Sequence, residues 1–152
     1  DAAVAAPEQA AALYETFLGE GHYYIDGAED LLKALYGRDQ LNLASNGTMS
    51  VQQSRLASAG IAGLFDGIFL SEVIGADKPS KAFFAACFSQ IPDFRKEETV
   101  IVGDSLTSDI QGGKNAGIGT VWYQPYPETQ EEIHPDAVIR KLSDLPELLR
   151  TL

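Results

Sequence analysis

Short apolar runs that alternate with helix-forming segments constrain the fold of this chain more than any other feature. Four runs have strand character, at residues 41–44, 67–70, 99–102 and 119–123. Glycines and polar turns bound them, and helix-like segments lie between them. Strands connected through helices in this way form a parallel sheet that is covered on both faces. The pattern therefore predicts a three-layer α/β fold built on a parallel sheet.

The helices are predicted from apolar periodicity and from the residues that begin and end them. Pro7 stands in the first turn of the first helix, and Asp26 is expected to cap the second. The predicted helices are residues 7–18, 28–36, 49–59, 79–90, 110–116 and 143–152. A loop over residues 124–135 and a short apolar segment at 137–139 complete the pattern.

The charge balance excludes one broad class of function. The chain has 152 residues, with 11 Lys and Arg against 22 Asp and Glu, and a formal net charge of −11. A field of this sign repels polyanions, so we expect no nucleic-acid polymer as a partner. A small phosphorylated ligand stays possible, because a bound divalent cation reverses the local sign of the potential.

The single cysteine and the absence of long apolar runs limit the protein's surroundings. Cys87 has no second cysteine to pair with, and it lies in an apolar stretch where a buried, inert thiol is expected. A chain without disulfides fits a reducing compartment such as the cytoplasm. No apolar run approaches the ~20 residues of a membrane-spanning helix, so no membrane partner is expected.

Polar residues follow each of the first three predicted strands. Ser45, Asn46 and Gly47 follow the first, at the entrance to a helix, where a hydroxyl and backbone N–H groups bind anions; these residue types also serve as plain helix caps. Lys78 follows the second and precedes the predicted helix at Pro79, where it is either a fixed cation for a phosphate or a solvated surface lysine.

An acid pair after the third strand predicts a metal site. Asp104 follows that strand directly, and Asp109 lies one short turn later. Two carboxylates about 4–5 Å apart repel each other by roughly 3–4 kcal/mol at an effective dielectric of 20, so a positive charge is expected between them. Mg²⁺ prefers such oxygen ligands and takes one or two carboxylates. Two helix-capping acids would be the alternative.

Read in order, these residues resemble the haloacid dehalogenase-like (HAD) superfamily, whose core is a Rossmann-like parallel sheet. Ser45 is similar to the phosphate-binding residue of its second motif, Lys78 to the lysine of its third, and Asp104 with Asp109 to the metal acids of its fourth. Residues 103–123 look most like the subgroup of pyrimidine and non-canonical nucleotide 5′-nucleotidases. The resemblance covers about residues 22–152.

One part of the family pattern is not found. The nucleophile of the family is the first aspartate of an Asp-x-Asp motif on the strand that begins the core, and this sequence has no such motif. Residues 1–21 look like the C-terminal remnant of a helical cap, and residues 22–152 like a core without its first strand. We therefore expect an incomplete sheet, with a gap between the strands that end near Ser45 and Asp104, and a missing N-terminal segment as partner.

The resemblance implies a function for the intact parent. It is a Mg²⁺-dependent phosphomonoester hydrolase acting through a phospho-aspartyl intermediate, with a nucleoside monophosphate as the expected substrate and Lys78 and Ser45 as catalytic-site residues. The chain alone is expected to be inactive. A non-catalytic binding module with a vestigial phosphate site is the alternative. A phospho-acceptor receiver domain is disfavoured, because its acids precede its Lys-Pro pair, whereas Lys78-Pro79 comes first here.

Overall fold

In a computed structural model, the protein is described over residues 7–126 and 132–152. These residues form seven α-helices and five β-strands. The helices are α1 (Pro7–Gly19), α2 (Ala28–Leu35), α3 (Met49–Ala59), α4 (Ser71–Ile74), α5 (Lys81–Phe88), α6 (Gln111–Ala116) and α7 (Leu145–Leu148). The strands are β1 (Asn42–Ser45), β2 (Gly67–Leu70), β3 (Val100–Gly103), β4 (Gly119–Tyr123) and β5 (Ala137–Ile139).

The strands form two separate parallel sheets. One sheet contains β1 and β2, and the other has the order β3-β4-β5. Within the described residues β1 and β3 do not pair, so each of them has a hydrogen-bonded neighbour on one side only. The predicted parallel α/β fold with an incomplete sheet is therefore confirmed.

Helices cover both faces of the strands, which makes the three layers. One hydrophobic cluster combines Phe69 of β2 with Phe83 and Cys87 of α5. A second combines Val121 of β4 with Leu35 of α2 and with two further buried side chains, Ile139 and Leu145. Successive residues of a strand point to opposite faces. Neighbouring residues of β3 accordingly join different clusters, Ile101 the first and Val100 the second.

The first cluster connects the two sheets. Ala44 of β1 and Ile101 of β3 both pack against it, so α5 lies beneath strands of each sheet. Cys87 is 4% exposed there, and burial raises the pKa of its thiol to about 11. The predicted burial of the thiol is confirmed, whereas its inertness and the assignment to a reducing compartment stay predictions. Among the described helices, none is long and apolar enough to cross a bilayer.

Several predicted boundaries are wrong in detail. Gly27, not Asp26, precedes α2; its backbone is left-handed at φ 81°, and no side chain caps the helix. Pro79 lies outside α5, which begins at Lys81 because the Ser80 hydroxyl accepts a hydrogen bond from the N–H of Phe83. β1 and β3 each begin one residue later than predicted.

The C-terminal helix is also much shorter than predicted. A 3₁₀ turn at Leu142–Asp144 leads into the four-residue α7, and the following N–H groups of Arg150 and Thr151 donate to carbonyls three residues back. Such tighter bonds are typical of helix ends. The predicted loop over 124–135 includes residues 127–131, which lie outside the described residues.

The first helix forms as predicted, but its apolar side chains remain exposed. Leu13, Tyr14 and Phe17 are 53%, 65% and 65% exposed. α1 packs against α3, and the Ser54 hydroxyl of α3 donates to the Gly19 carbonyl over 2.8 Å. Its apolar face is therefore uncovered by the residues that the structure describes.

Candidate functional site

Lys78 joins the end of β1 to the segment that follows β3. Its Nζ donates to the carbonyl of Ala44 over 2.8 Å and to Oδ1 of Asp109 over 2.7 Å. The side chains of this ion pair are each 10% exposed. Little solvent screens the pair, so the attraction between its charges is stronger than at the surface. Lys78, which follows β2, and Asp109, which follows β3, are therefore in direct contact.

Asn46 fixes the backbone of Lys78 with two reciprocal hydrogen bonds. Its Nδ2 donates to the Lys78 carbonyl over 3.0 Å, and its Oδ1 accepts from the Lys78 N–H over 2.9 Å. Sequence reasoning assigned Asn46 to phosphate through its backbone N–H and did not foresee this role of the side chain. An asparagine amide has the donor and acceptor needed to pair with one backbone residue in this way. The Lys78-Pro79 peptide bond that follows is cis.

Ser45 ends β1 and shapes the turn that leads into α3. Its Oγ accepts from the N–H of Gly47 over 3.0 Å. Thr48, not Ser45, is the N-cap of α3, and its side chain makes no capping bond. The alternative interpretation of this segment as a helix cap therefore holds for the position of Thr48 but not for Ser45. A ligand oxygen that binds the Gly47 N–H would have to replace the Ser45 hydroxyl there.

Glu72 is a residue of this edge that sequence reasoning missed. Its carboxylate accepts from the N–H of Met49, the first residue of α3, over 2.6 Å. The first N–H groups of a helix have no partner within the helix and carry partial positive charge, so a carboxylate there is stabilising. This bond ties the turn after β1 to the segment after β2. The sequence gives no local sign of it, because 23 positions separate the two residues.

Asp109 folds back towards β3 from a π-helical turn over Leu106–Ile110. Besides its bond to Lys78, its Oδ2 accepts from the N–H of Ser105 over 3.1 Å. A Cβ atom placed on Gly103 would collide with the Asp109 carboxyl group. Glycine at the end of β3 therefore permits this position of Asp109, and the residue is 7% exposed.

The surroundings of Asp104 differ from those of Asp109. It is exposed, and its carboxylate makes no hydrogen bond or ion pair with the residues that the structure describes. Its backbone carbonyl accepts from Nε1 of Trp122 over 2.9 Å, which fixes the residue beside β4. Trp122 is 3% exposed and is part of the buried core. The acid pair thus has one carboxylate neutralised by Lys78 and one that is open to a ligand.

The donors present fit Mg²⁺. No group of three or more His, Cys, Asp and Glu side chains is found among residues 7–126 and 132–152. Mg²⁺ does not require such a group, since it keeps several waters and takes one or two carboxylates. Asp104 would be a direct ligand, while Asp109 would act directly or through water. These assignments stay predictions.

Asp104 also lines a cavity of about 830 Å³. Arg140 and Lys141, which follow β5, also line it, as do aromatic residues including Tyr126. Asp104 therefore borders a space that can hold a small molecule.

Comparisons with known proteins identify the relatives of this chain. The sequence profile of the haloacid dehalogenase-like hydrolases matches residues 2–117. The chain is 44% identical over 137 residues to the HAD-hydrolase YfnB of Bacillus subtilis. The alignment covers 90% of this chain and 58% of YfnB. It is 40% identical over 138 residues to the pyrimidine 5′-nucleotidase PynA of Streptococcus pneumoniae, with the same 90% and 58% coverage. The chain thus spans a little more than half the length of these relatives.

Solved structures give the same result. The crystal structure of YfnB bound to magnesium superposes with a TM-score of 0.86, over 90% of this chain and 60% of that one. L-2-haloacid dehalogenase from Xanthobacter autotrophicus superposes with a TM-score of 0.83 over 98% and 69%; at 21% identity it supports the fold alone. Since the family profile covers most of the chain and the fold agrees with it, this chain belongs to the haloacid dehalogenase-like hydrolase family.

Proposed function

We propose that the protein is a Mg²⁺-dependent phosphomonoester hydrolase, with nucleoside monophosphates as substrates. The observation that carries the proposal is the position of Lys78, which brings the end of β1 and Asp109 to one ammonium group. Asp104 stands open at the same edge of the strands. Magnesium in the YfnB crystal structure and the nucleotidase name of PynA support the metal and the substrate class.

The residues of this chain would supply positioning and charge. Lys78 would neutralise phosphoryl oxygens as negative charge develops, which is the main task in phosphoryl transfer. The Ser45 hydroxyl and the N–H groups of Asn46 and Gly47 would hold an oxygen that is not transferred. Bound Mg²⁺, held by Asp104 and Asp109, would supply further positive charge at the phosphoryl group.

The attacking group would come from a segment outside these 152 residues. In the proposed reaction an aspartate carboxylate attacks phosphorus, and the bond from phosphorus to the leaving oxygen breaks. A second aspartate gives its proton to that oxygen, and water then hydrolyses the acyl phosphate. The isolated chain would accordingly be inactive. The contributed strand would lie between β1 and β3, whose facing edges are unpaired within the described residues.

The domain division belongs to the same proposal. Residues 1–21 would be the end of a helical cap, of which residues 7–21 are described, and residues 22–152 would be the core. The exposed apolar face of α1 supports this division, because Leu13, Tyr14 and Phe17 need a covering partner to leave water.

Turnover of p-nitrophenyl phosphate by the longer parent protein tests the proposal. Asp104→Asn is expected to lower kcat by at least about 100-fold and to abolish stimulation by Mg²⁺, because it removes a charged metal ligand. The control is Asp30→Asn, which changes an exposed acid in the first turn of α2 and should leave kcat unaltered. A well-folded parent that hydrolyses no phosphate ester with Mg²⁺ would favour the binding module with a vestigial site.

A further inference from the structure

We infer that Arg140 determines substrate specificity by binding the nucleobase of a nucleotide whose phosphoryl group lies near Asp104 and Lys78. The inference rests on the proposed function and adds to it the chemistry of the substrate's far end. The base it fits is planar and carries carbonyl acceptors, as uracil does.

The register of the strands brings Arg140 to the same edge as Asp104. β3, β4 and β5 are parallel, and the last paired residues are Gly103 with Trp122 and Tyr123 with Ile139. Asp104 and Arg140 are therefore the first residues beyond the ends of β3 and β5. Adjacent strands lie about 4.8 Å apart, so two spacings separate their backbones by roughly 10 Å.

Both residues line the 830 Å³ cavity. This volume lies within the range of about 300–1,000 Å³ that is typical of small-molecule sites. A ligand that reaches from Asp104 to Arg140 therefore has an extended shape, with polar groups at both ends. A nucleoside monophosphate has such a shape, since the sugar separates the phosphate from the base.

Two cationic side chains of the cavity have no partner among the described residues. Arg140 and its neighbour Lys141 are exposed, and their side chains make no hydrogen bond or ion pair with any residue that the structure describes. Lys78, by contrast, is held by two partners at the phosphoryl end. In a chain of net charge −11, two adjacent cations that have no partner among the described residues provide donors for an acceptor-bearing ligand.

The walls favour a ring over a simple anion. Tyr24, Trp122 and Tyr126 line the cavity, and Tyr126 is 77% exposed, so its ring is available for stacking. The Tyr24 hydroxyl donates to the Ala59 carbonyl over 2.8 Å, which restrains that ring. A guanidinium offers several donors in one plane and also stacks on aromatic faces. Rings and planar donors together match a carbonyl-bearing base.

Kinetics of the longer parent protein with three substrates test this inference. Uridine 5′-monophosphate has a ring with acceptors, phenyl phosphate a ring without them, and 3-phosphoglycerate a second negative charge without a ring. Arg140→Gln is expected to lower kcat/KM for uridine 5′-monophosphate by about tenfold or more, the effect of losing a hydrogen bond to a charged group. Phenyl phosphate should change by less than about twofold. The matched control is Arg55→Gln, an exposed arginine of α3.

The possible outcomes distinguish a failure of the inference about Arg140 from a failure of the proposed hydrolase function. Equal losses for all three substrates, or no loss for uridine 5′-monophosphate, would overturn the role of Arg140. A loss confined to 3-phosphoglycerate would make the cavity an anion site instead. Calorimetric binding of uridine, which has no phosphate, is independent of hydrolysis. Weaker uridine binding by Arg140→Gln would support the base site even if the wild-type protein hydrolysed nothing, and equal binding would overturn it.

Discussion

The three-stranded and two-stranded sheets differ in how completely their strands are buried. β4 is paired on both sides, and its three central residues are buried, with Val121 fully inaccessible. β1 is paired only with β2 among the described residues, and all four of its residues are half-buried. β3 has the same one-sided pairing, and Val102 remains 37% exposed. Among these three strands, the one that is paired on both sides is therefore the most completely buried.

The candidate site lies where pairing is incomplete. Ser45 ends β1 and Asp104 follows β3, so the two strands that carry it face an interval with no strand of the described residues between them. Unpaired strand edges readily accept another strand. The most deeply buried strand and the candidate site are therefore separate parts of the molecule, and Lys78 links the ends of the two strands that carry the site.

The sharpest way to break this connection is Lys78→Ala. It leaves the Asp109 carboxylate, 10% exposed, without its partner, and losing one member of a buried pair costs about 3–5 kcal/mol of unfolding free energy. Urea denaturation measures this loss. In the longer parent protein kcat is also expected to fall at least 100-fold, about the effect of removing one fixed electrostatic group.

Lys33→Ala is the matched control for that variant. Lys33 pairs with Glu29 over 2.7 Å, but the two side chains are 64% and 51% exposed. Because solvent screens such a pair, the urea midpoint is expected to stay unchanged. Equal midpoints for both lysine variants would show that the Lys78 bridge does not hold the two sheets together.

Two valines in neighbouring strands measure the difference in burial directly. Val121→Ala in β4 is expected to cost about 2–3 kcal/mol, because it removes fully buried methyl groups and leaves a cavity. Val102→Ala in β3 should cost less than about 1 kcal/mol, since that side chain already contacts water. Similar losses at both positions in the longer parent protein would show that β3 is covered there.

The smallest expected effect concerns acid stability at the start of β4. The hydroxyl of Thr120, followed by its N–H and by Lys114, lowers the pKa of Asp136 below its ordinary value of 3.8. A lowered pKa gives stability that is present above pH 3.8 and is lost as the pH falls below it. Asp136→Asn should flatten this part of the profile of melting temperature against pH. An unchanged slope would assign the acid sensitivity to other carboxylates, with Asp144→Asn as the control.

The sequence was sufficient for the periodic parts of the fold. Apolar runs predicted every strand to within one residue, because burial requires them to be apolar. It was insufficient where side chains decide the boundary. Ser80 caps α5 and moves its start to Lys81, and tighter turns replace the predicted C-terminal helix after Leu148. Capping choices of this kind depend on atomic geometry that periodicity does not contain.

The sequence predicted some contacts of the candidate site and missed others. Strand ends placed Lys78 and Asp109 at one edge, where the structure brings them into contact. The side-chain role of Asn46 and the bond from Glu72 to α3 were not predicted, since both join loops far apart in the chain. The sequence also implied a cation between two acids, and Lys78 supplies that charge for Asp109 alone.

Gly103 of β3 cannot be replaced by a larger residue without disturbing Asp109. The Asp109 carboxyl group occupies the space that a side chain at Gly103 would need. An added methyl group would displace that carboxylate and draw it away from the Lys78 ammonium. One carbon atom would thus remove the ion pair that links the two sheets beside their shared hydrophobic cluster, and would displace one of the two acids on which the proposed chemistry depends.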